Sequence, residues 1–337
     1  MTPPGRRGGR GAGRGRRDGT LGARDGKAAP DGRPHPSGAG SKGWPSPAAG
    51  AGSSGVSRPP ATAGGGRGRR RAAAAGVPEG GFLQVEGRQP VLELLRSGHP
   101  VHRIFVAAGR RGASLEEVEN LARERGVAVT EVDPAELARR AQTEGHQGIL
   151  ALAAPLPAPD PLDLLERAAR RGEPALVVIC AEIQDPHNLG AVFRSAEAAG
   201  AHGAVVPRHR SAPLGPTVFK TSAGALVHLP VAQVPNLAQV VRRYKEQGVW
   251  VVAADPEGAE PYDRWDWTQP TALILGSEGR GVPPLLLRHC DGRVSIPMAG
   301  QVASLNVSVA AGVLLFEAAR QRRRRAADGP EAVGNRP

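Results

Sequence analysis

The sequence predicts an α/β protein: a parallel sheet covered by helices on both faces, with a smaller α/β module ahead of it. Three observations carry that reading. Apolar runs of strand length recur at Ala175–Ala181, Gly203–Val206, Val249–Ala254, Thr271–Leu275 and Arg293–Ile296. Helical patterns separate them, around 189–199, 216–224, 236–247 and 304–320. The runs are apolar on both sides of the pleat, and such strands, alternating with helices, belong to sheets buried on two faces.

The N-terminal segment stands apart from this pattern. The chain has 337 residues and a formal net charge of +12, yet residues 1–80 alone hold 15 Lys and Arg against 4 Asp and Glu. They also hold 22 Gly and 10 Pro, with Leu21, Trp44, Val56 and Val77 as their large apolar residues after Met1. So little apolar surface cannot offset the entropy of ordering the chain, and 1–80 is expected to be a disordered tail. Its glycines show no three-residue period, which excludes a collagen helix. Residues 81–319 carry 23 basic and 26 acidic side chains, and 320–337 carry 6 Arg against 2 acids. The positive charge therefore sits at the two ends.

Order is expected from about Phe82, and residues 81–154 alternate short helix and strand patterns. Val91, Leu92, Leu94 and Leu95 suit a short helix, and Val101–Ala107 suits a strand. Ser114-Leu-Glu-Glu117 has the form of a capping box, opening a helix that stops at Gly126. Val127–Val132 reads as a strand, Asp133-Pro134 opens another short helix, and Gly148–Ala153 closes the module. Pro155, Pro157, Pro159 and Pro161 make a stiff linker of 155–161, since each fixes its own φ and biases its neighbour to extended geometry. The second domain spans 162–321, and 322–337 is expected to be a second basic, disordered tail.

Parallel sheets bind ligands at the carboxyl ends of their strands, so the segments just after each strand are where chemistry is sought. The first is DPHNLGAVFRSAEAAG, Asp185 to Gly200. Asn188 is placed to cap its helix, and Leu189, Val192, Phe193 and Ala196 recur at i, i+3, i+4 and i+7 as a buried stripe. Arg194 lies roughly opposite that stripe; it is either a solvated surface arginine or a contact for an anionic substrate. The second segment is LILGSEGRGV, Leu273 to Val282, with three glycines in six residues. It lacks the Lys-Ser/Thr of a P-loop and the spacing of a dinucleotide fingerprint. The glycines alone fit an ordinary tight turn, whereas Glu278 among them points to a ligand site. The third is VSIPMAGQVASLNVSVAAG, Val294 to Gly312. Here a small-residue loop follows a strand, and Ser304 or a neighbour caps a helix that is apolar on most sides. Asn306, a poor helix former in its first turn, implies a hydrogen-bonding task.

Together these segments resemble the SpoU/TrmH family of RNA ribose 2′-O-methyltransferases, within the SPOUT superfamily. All three match in order and at family-like spacing, and FKTSAGALVHLPV, Phe219 to Val231, is similar to the family between them. Residues 83–153, with EGRQPVLELL and HQGILAL, resemble the ribosomal-protein-L30-like substrate-binding domain that precedes the catalytic domain in many members. The resemblance implies a C-terminal trefoil knot and a homodimer paired through the helix 304–320. It implies S-adenosyl-L-methionine held by Gly276, Ile296 and Leu305. It also implies functional roles for Asn188, Arg194, Glu278, Ser304 and Asn306. The implied substrate is structured RNA, with a guanosine of 23S rRNA the expected target, and a tRNA guanosine or an rRNA adenosine the alternatives. A non-catalytic RNA-binding ribosome-assembly factor is the alternative of another class, and the intact set of site residues weighs against it. The Arg-rich ends fit an RNA partner, because such tails hold phosphates without reading sequence; a purely solubilising extension is the other reading.

Other classes are excluded at this level. Cys180 and Cys290 are too few for a disulfide framework or a CxxC zinc site, and no His/Cys/carboxylate cluster shows metal-ligand spacing. No metal is expected. The apolar runs fall far short of the ~20 residues of a membrane span. Arg6 and Arg7 precede no apolar stretch, so no export signal is expected either. A cytoplasmic protein without a membrane partner is the expectation.

Overall fold

The structure, a computed structural model, describes residues 81–328. The expected tail of 1–80 and the last part of the expected C-terminal tail, 329–337, lie outside the described residues.

The first module runs β1 (Leu83–Glu86), α1 (Arg88–Arg96), β2 (Val101–Ala107), α2 (Ala113–Glu124), β3 (Ala128–Val132), α3 (Pro134–Arg140) and β4 (Ile149–Ala153). Its sheet has the order β1-β4-β2-β3; β4 is antiparallel to both neighbours, and β2 and β3 are parallel. Asp133 caps α3 as its sequence predicts, accepting the Ala135 N–H at 2.8 Å. Ser114 does not cap α2. That helix starts two residues earlier behind Gly112, and the Ser114 hydroxyl instead accepts from Arg88 at 3.4 Å. Glu86 is fully buried, and its carboxylate receives the backbone N–H groups of Gln142 (2.6 Å) and Thr143 (3.0 Å) and the Thr143 hydroxyl (2.5 Å). Burial alone would raise its pKa, but these bonds and one from Gln84 outweigh it and hold Glu86 ionised below the usual carboxylate range. The loop 141–148 is thereby tied to the end of β1.

The second module continues with α4 (Pro161–Arg171), β5 (Leu176–Cys180), α5 (Pro186–Ala198), β6 (Gly203–Pro207), α6 (Pro216–Thr221), β7 (Val231–Val234), α7 (Leu237–Glu246), β8 (Trp250–Ala254), β9 (Glu260–Pro261), β10 (Thr271–Leu275), α8 (Pro284–Leu287), β11 (Gly292–Ser295) and α9 (Val307–Asp328). The sheet order is β7-β6-β5-β10-β8-β11-β9, and every pairing is parallel. The five strands that the apolar runs predict are the five central ones. The edge strands β7 and β9 are too short to show a periodic pattern. One hydrophobic core joins the modules, running from Val85 and Leu94 to Phe219, Leu226 and Phe193. Glu93 of α1 also meets His228 at 3.1 Å. Among the described residues, no helix is long and apolar enough to cross a membrane.

Two boundaries differ from expectation. The proline linker ends at Asp160, because Asp160 and Asp163 form a reciprocal capping box that opens α4 with Pro161 inside it. The second domain does not stop at 321, since α9 continues to Asp328. Arg322 is the reason. Its guanidinium donates to the carbonyls of Pro174 (2.5 Å), Ala175 (2.9 Å), Trp267 (2.9 Å) and Gln269 (3.1 Å). An arginine run that reads as a solvated tail thus fastens the helix to the start of β5 and β10.

His202 bolts the same end of the sheet. Fully buried, it accepts the Leu176 N–H at Nδ1 (3.0 Å) and meets Glu173 through Nε2 (3.0 Å), so it is the neutral tautomer protonated on Nε2. Burial lowers its pKa, and the Glu173 bond only partly opposes this. Unfolding releases a histidine that binds a proton more readily. Stability is therefore full above the unfolded value near 6.5 and is lost as pH falls below it towards the folded pKa. Urea unfolding should show a lower midpoint at about pH 5 than at about pH 7.5, and His202→Asn should flatten that difference.

Candidate active site

Because all strands of the larger sheet run parallel, β5, β10 and β11 end on one edge, and the segments that follow them converge there. Asp185, not Asn188, caps α5, accepting from the N–H groups of His187 (3.0 Å) and Asn188 (3.3 Å). Pro186 occupies the first turn, where its missing N–H costs nothing. The Asn188 side chain is thereby released from capping. It donates from Nδ2 to Glu278 Oε1 at 2.8 Å and accepts from Asn306 Nδ2 at 3.0 Å.

Asn306 caps α9, where Ser304 or a neighbour was expected to do so. Its Oδ1 accepts the Ser308 N–H (2.9 Å) and the Ser308 hydroxyl (2.6 Å), and the helix begins at Val307. Its Nδ2 is left for the site and donates to Glu278 Oε1 at 2.5 Å. Three residues from three distant segments therefore close one hydrogen-bonded triangle. In it Glu278 acts only as an acceptor, through one oxygen.

Beside the triangle lies a cleft of about 850 Å³, counted with the solvent at its mouth. Gly276, Ile296 and Leu305 line it, as do Glu278 and Ser304, whereas Asn188, Asn306 and Arg194 are not among its lining residues. Gly276 is where two backbones cross. Ser277 and Gly281 exchange backbone hydrogen bonds (2.9 and 3.1 Å), and a Cβ on residue 276 would lie 2.1 Å from the Gly281 carbonyl carbon. Only glycine allows that turn. Arg194 is not part of the triangle. It sits six residues beyond Asn188, about 9 Å along α5, exposed and with no hydrogen bond or ion pair among the described residues.

Sequence reasoning missed Asp255 and Pro256, which line the cleft from the end of β8. The strand-end rule would have found them had it been applied to that strand as well. Met298 and Ala310 line the cleft too, but they carried no signal beyond their apolar character. Among the described residues, no cluster of His, Cys, Asp and Glu could hold a metal ion. Cys180 is buried, and its thiol is pushed up to about 12.

Residues 175–316 match the SpoU rRNA Methylase family, and residues 84–159 match the domain described as RNA 2′-O ribose methyltransferase substrate binding. The chain is 39% identical over 238 residues to YacO of Bacillus subtilis (strain 168), covering 71% of this chain and 95% of that protein. The name of YacO places it among TrmH family tRNA/rRNA methyltransferases. The chain belongs to the SpoU/TrmH family of RNA 2′-O-ribose methyltransferases. The SpoU methyltransferase AviRb from Streptomyces viridochromogenes, solved in complex with the cofactor AdoMet, superposes with a TM-score of 0.62 at 30% identity, covering 72% of this chain and 92% of that one. An AdoMet-bound rRNA methyltransferase from Sinorhizobium meliloti superposes with a TM-score of 0.57 at 27% identity, over 71% of this chain and 87% of that one.

The family uses S-adenosylmethionine, and the cleft fits it. Leu275, Val294, Ile296 and Leu314 give apolar walls suited to a nucleoside base, while Asp255, Ser277 and Ser304 supply polar groups. Gly276→Ala should force Ser277–Gly281 open and weaken S-adenosylmethionine binding by about tenfold or more, equivalent to about 1.4 kcal/mol. Calorimetry would measure this, with circular dichroism showing that the sheet persists.

Proposed function

We propose that this protein methylates the ribose 2′-hydroxyl of a guanosine in 23S rRNA, acting as a homodimer. The observation that carries a working site is the closed triangle of Asn188, Glu278 and Asn306 beside the cleft that holds Gly276, Ile296 and Leu305. The match to an rRNA methylase family and the substrate-binding module ahead of it support ribosomal RNA over tRNA. Mapping 2′-O-methylated positions in RNA from cells with and without the gene tests the target directly.

When bound, S-adenosylmethionine supplies an electrophilic methyl group on a sulfonium. The chain's own residues have to hold the acceptor in place, and positioning of this kind is worth about 7–11 kcal/mol of barrier. Glu278 Oε1 takes both amide donors, and Oε2 takes none among the described residues. We assign Oε2 to the ribose hydroxyl, accepting its hydrogen bond and then its proton as the oxygen is alkylated. Asn188 and Asn306 fix the carboxylate for that task, and Ser304 contacts the ribose or the cofactor from the cleft wall. Arg194 presents a planar fork of N–H donors and no acceptor, which suits it to binding an anion and not to taking a proton. Its role is a bidentate clamp on a phosphate of the RNA.

Two further readings belong here. We read the C-terminal passage as the trefoil knot and the first module as L30-like. In support of the knot, β11 enters between β8 and β9, which precede it in the chain, and the segment after it returns to α5 at Asn306. We read the outer face of α9 as the dimer interface. Val309 and Phe316, seven residues apart on one stripe, are 51% and 48% exposed.

Arg194→Ala should lower turnover more than tenfold, a loss above about 1.4 kcal/mol, while leaving S-adenosylmethionine affinity near wild type. Arg194→Lys should rescue little if bidentate geometry is what matters. Single-turnover methylation of rRNA measures both. Light scattering should give a dimer mass at micromolar concentration, and Phe316→Asp should shift it to monomer.

A further inference from the structure

The loop 141–148 of the first module, held by Glu86, passes against α6 of the second. A Cβ on Gly145 would lie 1.8 Å from Lys220 Nζ and 2.8 Å from its Cε, so the lysine occupies the space any side chain at 145 would fill. Gly145 has an ordinary φ, so the glycine reflects close approach and not conformation, and a side chain there would push the flexible end of Lys220 aside. Lys220 is half-buried, and among the described residues its ammonium forms no ion pair or hydrogen bond. Glu144, the carboxylate next in the loop, does not pair with it. Lys220 therefore keeps its charge available at the seam, held there by packing and not by an acceptor of the chain.

The surroundings indicate what that charge can meet. The next residue, Thr221, brings its hydroxyl within 3.1 Å of Pro186 O at the start of α5, two residues before Asn188. On the other side, the loop leads to arginines. Gln147 accepts the Arg88 N–H at 3.0 Å, and the Arg110 side chain packs on Gly148. Neither guanidinium has a carboxylate partner among the described residues. Cations without carboxylate partners therefore flank the loop 141–148, with Arg88 and Arg110 on the first module and Lys220 on α6, whose neighbour Thr221 meets the start of α5.

We propose that Lys220 binds a backbone phosphate of the substrate RNA at the seam between the modules, with Arg88 and Arg110 continuing the track. Lys220 acts as a positioning residue that leads the RNA from the first module to Asn188. The inference rests on RNA being the substrate and not on which nucleotide is methylated.

The test uses the full chain and bulk ribosomal RNA from cells lacking the gene. Lys220→Gln should raise Kd for that RNA about fivefold and reduce the slope of log K against log salt by about 0.7–0.9, as expected for one lost phosphate contact. The KM for RNA should rise, while kcat and S-adenosylmethionine affinity stay near wild type. An unchanged Kd and salt slope would overturn the proposal. Should Lys220→Gln melt early, Lys220→Met decides, since it keeps the apolar stem and removes the charge. Weaker RNA binding with intact cofactor binding supports the role, and unchanged RNA binding sinks it. If wild type binds the RNA without methylating it, the rRNA reading fails and the binding result for Lys220 still stands.

Discussion

A single carboxylate oxygen holds the site together. Glu278 Oε1 accepts from Asn188 on α5 and from Asn306 at the start of α9, residues that lie 90 and 28 positions away in the chain. Both amide donors meet at one atom, so the starts of two helices and the glycine loop are fixed to each other there. The triangle closes only if both helices start where they do. α5 starts correctly because Asp185 takes over capping, and α9 because Asn306 divides its amide, with oxygen to the helix and nitrogen to the site. The same triangle sets the wall of the cleft, because the loop that carries Glu278 also carries Gly276.

That loop shows how backbone and side chain share the work. Crossing the chain at Gly276 within 2.1 Å of where a Cβ would be leaves no room for any other residue, and the crossing directs the Ser277–Gly281 turn towards the strand ends. A carboxylate on a rigid turn loses less entropy on engaging a ribose than one on a flexible loop does. At the opposite end of the sheet, Arg322 and His202 lock the strand starts by satisfying backbone groups. The sheet is thus fixed at one end by buried polar bonds and left open to ligands at the other.

Much of this was legible in the residues. The five central strands show as apolar runs because both faces are buried, and the α5 stripe of Leu189, Val192, Phe193 and Ala196 shows because helical burial has a period. The residues of the triangle were also legible, though their roles as caps were exchanged: Asp185 and Asn188 are both good capping types, and only the φ and ψ of the turn decide between them. The edge strands β7 and β9 were not, since so few residues carry no periodicity. Arg322 was invisible for a different reason. Within an arginine run, nothing in the residue types marks which guanidinium will find four carbonyls, because those carbonyls come from segments about 150 and 55 residues away. Gly145 was likewise silent, since its close contact is with Lys220 on another module.

The charge distribution then explains how a slightly acidic body can hold a polyanion. Residues 81–319 carry 23 basic side chains against 26 acidic ones, so net charge cannot draw RNA to this part of the chain. Several of its arginines are also spent internally, since Arg96, Arg140 and Arg243 pair with carboxylates; beyond it, Arg320 pairs with Glu317 and Arg322 is consumed by carbonyls. What remains unneutralised among the described residues includes Arg88, Arg110, Lys220 and Arg194, placed along the first module, the seam and α5. Screening confines contacts from such fixed cations to within about 10 Å at ordinary salt, so their effect depends on where each one stands. The 15 basic residues of 1–80 outnumber their 4 acids, so most of the excess positive charge of the sequence lies outside 81–319. Net charge and local cation placement are therefore set by different parts of the chain.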